Sequence, residues 1–362
     1  MQKAYVNSRI YTGENMITGK VLLVKDDIIV SIEENAMTEG FDLVDAGGLN
    51  IAPAFIDLQI YGGSGQMFSF LPTVASLEGI YAECKTGGTH WFQATVATNS
   101  LDIMLQAFDA AKAYKAQNKP GLLGIHLEGP YINAAKKGAH QEKYIRIPKV
   151  NEVEQLMKEG EGVFTMMTLA PETCNPKIIS MLREAGVIIS AGHSAASYET
   201  AKQSFVKGIT TATHLHNAMS AFKNRDPGLV GAIFDSNVFC SIIPDGIHVD
   251  YPTLRISKKI MQERLFIITD AITAVSGDGY DYVKLPDRFV TNDNILAGSC
   301  LSMMQGVKNC MQHAGIALPE ALRMASTYPA KVIGKENELG LLKKGLKPRF
   351  VFFDDELNVV HL

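Results

Sequence analysis

The sequence has few cysteines, no excess of positive charge and no long apolar run. Its five cysteines are widely spaced and form no C-x-x-C pair, which argues against a disulfide framework and a thiolate zinc site. The net charge is -4, without the basic patch that nucleic acid requires. No stretch has the roughly 18 apolar residues of a membrane span, and the first residues lack the apolar core of a signal peptide. We therefore expect a cytoplasmic protein with neither nucleic-acid nor membrane partners.

The apolar pattern after residue 50 predicts a barrel. Strand-like apolar runs alternate there with segments of helical periodicity. The runs cover residues 54–60, 90–97, 122–127, 163–169, 187–191, 210–215, 239–243 and 265–268. Eight βα units over roughly 250 residues are typical of a (β/α)₈ barrel of the TIM type. The competing layout is a doubly wound open sheet, but no G-x-G-x-x-G follows the first strand to support it.

Both chain ends have a different pattern. Residues 3–50 are short β-like pieces broken by tight turns, which predict a small antiparallel sheet without intervening helices. The last residues, F-V-F-F-D-D-E-L-N-V-V-H-L, are β-like again. We predict that both ends form one small β-sandwich domain, residues 1–50 plus 335–362, beside a catalytic barrel of residues 51–334.

Two histidines and a glutamate follow predicted barrel strands. His193 ends V-I-I-S-A-G-H, His214 ends T-T-A-T-H, and Glu128 follows the apolar run of H-L-E-G-P. One carboxylate and two imidazoles at neighbouring strand ends are the ligand set of a hydrolytic zinc site that keeps a position open for water. Structural histidines and a loop-capping glutamate are the alternative. His216 lies on the same strand face as His214, so the spacing does not decide which of them is the ligand.

Asp270 follows the last predicted strand, in F-I-I-T-D-A. A carboxylate beside a metal site can take a proton from the attacking water and return it to a leaving amine, although aspartate is also a common helix N-cap. On the first strand, D-L-Q-I-Y places Gln59 and Tyr61 where a two-metal hydrolase needs two histidines. Neither is a good ligand for a second cation, so we predict one metal ion, with Gln59 contacting the water it holds.

Three basic side chains lie in predicted loops over the same face of the barrel. They are Arg225 in F-K-N-R-D-P-G, His248 in P-D-G-I-H and His140 in K-K-G-A-H. Arginine offers a bidentate fork to phosphate, and the backbone N–H groups of Asn217 and Ala218 could assist if they open a loop or helix. Without the neighbouring metal cluster, these loop residues would be interpreted as solvated surface.

A series of motifs in one order resembles a known family. From about residue 52 to residue 299 they are A-P-A-F-I-D-L-Q, H-L-E-G-P, G-A-H, A-G-H-S, T-H-L-H-N-A-M, R-D-P-G, D-G-I-H, T-D-A and L-A-G-S. This order resembles the N-acetylglucosamine-6-phosphate deacetylases of the amidohydrolase superfamily. The resemblance implies a barrel with a small β-sandwich, a homodimer, and metal-dependent hydrolysis of the acetamide of N-acetylglucosamine 6-phosphate to glucosamine 6-phosphate and acetate.

The resemblance also implies a role for each matching residue. Glu128, His193 and His214 match metal ligands, and Asp270 matches the catalytic acid and base. His140 matches a catalytic residue that contacts the substrate acetamide. Residues matching substrate contacts are Ala139, His140, Asn217, Ala218, Arg225, Asp245, His248, Leu296, Ala297 and Gly298. The expected cofactor is one Zn²⁺ per subunit, although the same donors accept Fe²⁺, Co²⁺ or Mn²⁺.

Two departures from the family pattern and two other functions remain open. Tyr61 differs from the residue of both one-metal and two-metal members, and His216 stands where the family often has an aromatic residue. The same barrel and metal could instead hydrolyse another N-acyl or cyclic amide. A non-catalytic sugar-phosphate-binding protein is the third hypothesis, and it would require an idle Asp270.

Overall fold

Eight parallel strands form the central sheet of the protein, as a computed structural model of residues 2–34, 38–274 and 281–362 describes it. Helices follow most of the strands, and the runs predicted from the sequence agree with the strands to within a few residues. In chain order the strands are β1 (Phe55–Ile60), β2 (Thr89–Ala97), β3 (Leu122–Glu128), β4 (Phe164–Leu169), β5 (Ile188–Ala191), β6 (Thr211–Ala212), β7 (Phe239–Ile242) and β8 (Leu265–Ile267).

The strands pair in sequence order from β1 to β8, every pair parallel. The circle closes between β1 and β8, where Ile60 bridges Ala271 and the Asp270 N–H donates to the Gln59 carbonyl at 3.0 Å. Beneath this junction the buried Asp57 carboxylate accepts the Thr269 hydroxyl and backbone N–H. The predicted (β/α)₈ barrel is confirmed.

The helices pack around the sheet and bury a continuous apolar core. Local sequence explains where several begin: the hydroxyls of Thr73 and Ser100 and the amide oxygen of Asn175 each accept a backbone N–H at a helix start. The α-helices are Val74–Thr86, Leu101–Ala116, Val150–Glu159, Pro176–Glu184, Tyr198–Val206, Gly228–Phe234, Tyr251–Met261, Met303–Gln312, Leu318–Ala325 and Thr327–Val332. Within the described residues, none of them is both long and apolar enough to cross a membrane.

Two small sheets are built from the chain ends. The strands of the first, in spatial order, are Ile28–Glu33, Val21–Lys25, Gln2–Val6 and Asp42–Asp45. Those of the second are Val359–Val360, Phe350–Phe353, Asn50–Pro53, Arg9–Tyr11 and Met16–Ile17. Residues of both sheets, among them Leu22 and Phe352, share one apolar cluster, in agreement with a small β-sandwich made from both termini.

The expectation that these end sheets are purely antiparallel is wrong. Gln2–Val6 pairs parallel with Asp42–Asp45, and Arg9–Tyr11 pairs parallel with Asn50–Pro53. Each parallel pair joins strands separated by a long connection, whereas tight turns in the sequence reveal only neighbouring antiparallel partners. The strand Asn50–Pro53 crosses the boundary predicted at residue 50, and the limits of the two domains stay predictions.

Further strands lie over the barrel mouth. Tyr282–Lys284, Arg288–Thr291 and Leu296–Ser299 form an antiparallel sheet, and Ser299 bridges Ala271 just after β8. A short hairpin, Gly62–Gly63 with Gln66–Met67, follows β1. These strands place loop residues above the carboxyl ends of the barrel strands, the face on which such a barrel builds its site.

Candidate active site

Four predicted site residues stand at the carboxyl ends of barrel strands. Glu128 is the last residue of β3, and His193, His214 and Asp270 follow β5, β6 and β8. The latter three have left-handed backbone angles, with φ of 47°, 40° and 54°. A residue with a side chain rarely adopts this conformation, which costs about 1 kcal/mol or more and is often found at functional sites.

The donor atoms of three of these residues converge. Glu128 Oε1 lies 3.0 Å from His214 Nε2 and 3.4 Å from His193 Nε2, and the two Nε2 atoms are 3.1 Å apart. Ligand atoms at zinc bond lengths of about 2.0–2.1 Å in a tetrahedron are roughly 3.3 Å apart. The three atoms therefore have the mutual spacing of three ligands around one small cation.

His193 is held in the form that a metal ligand needs. Its Nδ1 lies 2.8 Å from the Lys136 carbonyl, which can only accept, so the ring proton is on Nδ1 and Nε2 carries a lone pair. That lone pair faces Glu128 Oε1 and His214 Nε2. A cation between these atoms would balance the carboxylate charge and the lone pair of His193, so the donor set fits a divalent metal. His214 Nδ1 has no hydrogen-bond partner among the described residues.

His140 also lies beside Glu128, and Glu128, His140 and His193 form a second possible donor set, with atoms within 4.8 Å of one another. The Thr98 N–H donates to His140 Nδ1 at 3.2 Å, so we assign the His140 proton to Nε2. That Nε2–H donates to Glu128 Oε2 at 3.0 Å. A protonated nitrogen cannot coordinate a cation, and we therefore favour His214 over His140 as a ligand.

His216 faces another environment. Its Nε2 lies 2.8 Å from the Ser257 hydroxyl, and its ring packs edge-on against Phe234. The backbone at both His214 and His216 has positive φ, so the two side chains do not share a face as they would in a regular strand. The turn therefore directs the two side chains to different surroundings, and the assignment of His214 as the ligand stays a prediction.

Glu128 and Asp270 have opposite electrostatic environments. Burial by itself raises the pKa of Glu128, but the neighbouring histidines, led by His193, hold that pKa well below its ordinary value. Burial, followed by the charges of Glu128 and Asp57, raises the pKa of Asp270 well above its ordinary value. Two carboxyl groups whose pKa values are pushed apart are suited to different chemical roles.

Gln59 connects the two carboxylates. Its Nε2 lies 2.9 Å from Glu128 Oε1, 2.8 Å from Asp270 Oδ1 and 2.9 Å from the Tyr61 hydroxyl oxygen. Because carboxylates only accept, the amide group must turn its NH₂ toward them. The contact of Gln59 with a metal-held water stays a prediction.

The Tyr61 hydroxyl, which sequence reasoning gave no role, contacts Glu128 Oε2. Its position two residues after Gln59 on one strand face was the available signal.

A cavity of about 150 Å³ opens above these residues. Its lining includes most of the predicted site. The predicted residues that line it are Glu128, Ala139, His140, His193, His214, Asn217, Ala218, His248, Asp270, Leu296 and Ala297. Gln59, Arg225, Asp245 and Gly298 are not among the described residues that line it, and Arg225 is exposed. Sequence reasoning missed the apolar side of the cavity, formed by Tyr61, Met67, Ala97, Ile272 and Tyr282.

Asp245 acts on the cavity through His248. Its Oδ1 accepts the backbone N–H groups of Ile247 and His248, and its Oδ2 lies 2.6 Å from His248 Nδ1. Burial raises the pKa of Asp245, but the hydrogen bond with His248 and the other contacts outweigh it, and the pKa is lowered. The turn thus fixes the orientation of the His248 ring, which lines the cavity.

Asn217 differs from expectation in one respect. Its backbone N–H donates to the His214 carbonyl at 2.9 Å and is not available to an anion in this structure. Nor does a helix begin at Asn217 or Ala218, since the next helix begins at Gly228. The Ala218 carbonyl accepts from Ser194 N–H, which docks this segment against the loop that carries His193.

The barrel, the strand-end donors and the cavity define a metal-dependent hydrolase of the barrel type. The family model described as "Amidohydrolase family" matches residues 50–361. The chain belongs to the amidohydrolase family. This membership confirms the resemblance drawn from the sequence motifs and favours an enzyme over a non-catalytic binding protein.

Named relatives cover almost the whole chain. The N-acetylglucosamine-6-phosphate deacetylase of Haemophilus influenzae is 36% identical over 99% of this chain and 97% of its own length. The N-acetylgalactosamine-6-phosphate deacetylase of a Shewanella species is 33% identical over 98% of this chain and 92% of its own. This fold is similar to the crystal structure of N-acetylglucosamine-6-phosphate deacetylase from Pasteurella multocida, with a TM-score of 0.96 and 36% sequence identity. The match covers 99% of this chain and 97% of the other.

Proposed function

We propose that this protein hydrolyses the acetamide of N-acetyl-D-glucosamine 6-phosphate to D-glucosamine 6-phosphate and acetate. The observation that carries the proposal is the convergence of Glu128, His193 and His214 on one point, with Asp270 joined to Glu128 through Gln59. Relatives named as deacetylases of N-acetylglucosamine 6-phosphate support this substrate.

Glu128, His193 and His214 would hold one divalent cation, which we propose is Zn²⁺. Fe²⁺, Co²⁺ and Mn²⁺ suit the same donors, and selection among them depends on availability and geometry. Such an ion supplies Lewis acidity toward the amide and favours ionisation of water at neutral pH. A second cation would need its own donors on β1, where Gln59 already donates to both carboxylates.

Asp270 is the residue we assign to proton transfer. Its Oδ1 accepts from Gln59, so Oδ2 is the oxygen that can turn to the cavity, take the proton of the attacking water and deliver it to the amine. His140 presents an Nε2–H, and an acetamide carbonyl within reach of that donor would be polarised by it. Hydrolysis then breaks the C–N bond, with the water oxygen in the acetate and the proton on the amine.

The phosphate end of the substrate belongs near the polar loop residues of the cavity. Asn217, Ala218 and His248 line the cavity, and His248 is oriented by Asp245. Leu296 and Ala297 also line it and would contact the sugar ring. The apolar residues Met67 and Ala97 offer nothing to a charged group.

We propose that the protein is a cytoplasmic homodimer. Arg225 is exposed and is not among the described residues that line the cavity of its own chain, although its guanidinium suits a phosphate. A second copy that places Arg225 over the neighbouring cavity would bring this charge to the substrate.

Acetate release tests the proposal together with its metal dependence. Purified protein should release acetate from N-acetylglucosamine 6-phosphate, lose this activity after exhaustive treatment with a chelator, and regain it with about one equivalent of Zn²⁺ per chain. Elemental analysis in parallel measures the stoichiometry. Activity that survives complete metal removal would refute the proposal.

N-acetylgalactosamine 6-phosphate is a second candidate substrate, because a relative named for its deacetylation is 33% identical over 98% of this chain. The two sugars differ only in the configuration at C4, so the same converging donors and Asp270 would serve both. The values of kcat/KM for the two phosphates, measured side by side, decide between them.

A further inference from the structure

Tyr61 is a buried tyrosine with a fixed backbone at the edge of the site. It follows β1, its N–H donates to the Ala271 carbonyl at 2.9 Å, and its carbonyl accepts the Phe68 N–H at 2.8 Å. These bonds tie it to the segment after β8 on one side and to the residue after the short hairpin on the other. Only 5% of its surface is exposed, so the direction of its hydroxyl is set by the fold.

The hydroxyl meets one particular oxygen of Glu128. Oε2 of the carboxylate contacts the Tyr61 hydroxyl and His140 Nε2, whereas Oε1 faces the two remaining histidines. A tyrosine hydroxyl has one hydrogen to donate, and a carboxylate only accepts, so Tyr61 is the donor. With the Nε2–H of His140, Oε2 receives two hydrogen bonds.

Gln59 supports the same arrangement from the side of Asp270. Its NH₂ group has two hydrogens and three acceptors around it: Glu128 Oε1, Asp270 Oδ1 and the Tyr61 oxygen. The two hydrogens suffice for the two carboxylates, so the Tyr61 oxygen can at most share one of them, while the Tyr61 hydrogen is donated to Glu128. Gln59 and Tyr61 therefore hold the two oxygens of Glu128 separately: the amide contacts Oε1 and the hydroxyl contacts Oε2.

We propose that Tyr61 is a positioning residue of the metal centre: its hydroxyl holds Glu128 Oε2 and so presents Oε1 alone to the cation. Without this donor Oε2 is held by the His140 Nε2–H alone, and the carboxylate can rotate more easily toward offering both oxygens. The inference rests on the proposed function, since it concerns the same ion, but it assigns a role to a residue that departs from the family pattern. Carboxylate ligands are commonly held by such outer hydrogen bonds.

Tyr61→Phe removes the hydroxyl and keeps the ring. The Zn²⁺ affinity, measured by competition with a chelating dye, should fall about 10- to 100-fold. The visible spectrum of the Co²⁺-loaded variant should differ from that of the wild type, because the coordination by Glu128 changes. Activity at limiting Zn²⁺ should fall, and excess Zn²⁺ should recover part of it.

Tyr114→Phe is the matched control. Tyr114 is equally buried, and its hydroxyl donates to the Pro120 carbonyl at 2.9 Å, outside the residues that line the cavity. The Tyr114→Phe variant loses one hydroxyl donor, as Tyr61→Phe does, so the two variants should show comparable changes in unfolding temperature. The Zn²⁺ affinity and Co²⁺ spectrum of Tyr114→Phe should be those of the wild type. A purely structural role of Tyr61 would make the two variants alike, which would overturn the inference.

If Tyr61→Phe fails to fold, the wild-type protein answers the same question. With ¹³C introduced site-specifically at the ζ-carbon of Tyr61, this resonance should shift when Zn²⁺ is added, and the corresponding signal of Tyr114 should stay in place. An unmoved Tyr61 resonance in a protein that binds the ion would overturn the inference.

Failure of this inference and failure of the proposed function give different results. A wild-type protein that binds no ion or releases no acetate overturns the proposed function, and the role of Tyr61 with it. A wild-type protein that does both, accompanied by a Tyr61→Phe variant with the same Zn²⁺ affinity and Co²⁺ spectrum, overturns only the role of Tyr61.

Discussion

The floor of the site and the loops beside it are held in place differently. The floor residues, Gln59, Glu128, His193, His214 and Asp270, are at strand ends and are all buried. Most of the loop residues that line the cavity or orient its lining are partly exposed. They are Asn217, Ala218, Asp245, His248, Leu296 and Ala297. The floor is joined by side-chain hydrogen bonds, whereas the loop residues are positioned mainly by their own turns.

This difference separates two tasks. The floor carries the donors for a cation and the proton-transfer group, which every substrate of the barrel would use. The loops face the part of the substrate that distinguishes one molecule from another. Substitutions in the floor should therefore lower kcat or metal content, and those in the loops should raise KM.

Asp270→Asn is the substitution with the largest expected effect. The amide cannot accept the proton of the attacking water, so kcat should fall about 10²- to 10⁴-fold, with Zn²⁺ content retained. Asp250→Asn, an exposed aspartate at the start of Tyr251–Met261, is the control and should keep wild-type kcat. Stopped-assay measurement of acetate gives both rates. An Asp270→Asn variant with more than one tenth of wild-type kcat would show that another group moves the proton.

Substitution of His248 tests the other side of the comparison. His248→Asn should raise KM for the phosphorylated sugar about 10- to 100-fold, the cost of losing a hydrogen bond to a charged group, with kcat nearly unchanged. Asp245→Asn should act in the same direction, because it releases the His248 ring. His361→Asn, in the exposed tail, is the control. A fall in kcat with unchanged KM would mean that His248 takes part in the catalytic step. It would contradict the view that the loop residues act only on substrate binding.

Arg225 extends the comparison to a second copy of the chain. Arg225→Ala should raise KM for the phosphorylated sugar by roughly tenfold. If Arg225 serves the neighbouring subunit, Arg225→Ala and Asp270→Asn chains that are refolded together should form mixed dimers in which one of the two sites is intact. Because about half of the dimers are mixed, about a quarter of all sites should be active at low substrate concentration. A mixture with no more activity than its components would place Arg225 at its own site or at none.

Much of the floor could be predicted because parallel strands end at the same edge of a sheet. Glu128, His193 and His214 each follow an apolar run, and that was enough to bring them together in expectation. Sequence periodicity could not distinguish His214 from His216, since the distinction depends on a left-handed turn between them. Nor could it assign the proton of His140, which depends on the distant Thr98 N–H.

The loops were predicted less well for a physical reason. A motif identifies which residue types are near a ligand, but the backbone N–H of Asn217 is already bonded within its own turn. Arg225 has the right chemistry and is not among the described residues lining its own cavity. The parallel pairing of the end sheets was also missed, because their partners are far apart in sequence. In each case the deciding contact is not local.

His216→Asn is the substitution with the smallest expected effect, and it tests the boundary of the floor. Its Nε2 is bonded to the Ser257 hydroxyl, so its replacement should cost about 1 kcal/mol of unfolding free energy and leave metal content unchanged. His214→Asn, two residues away, should lose the ion because one of three converging donors is removed. Elemental analysis of both purified variants measures the metal content. Urea unfolding of the same variants after metal removal measures the change in unfolding free energy. Loss of metal from His216→Asn with retention in His214→Asn would reverse the assignment, and with it the claim that the turn after β6 chooses the ligand.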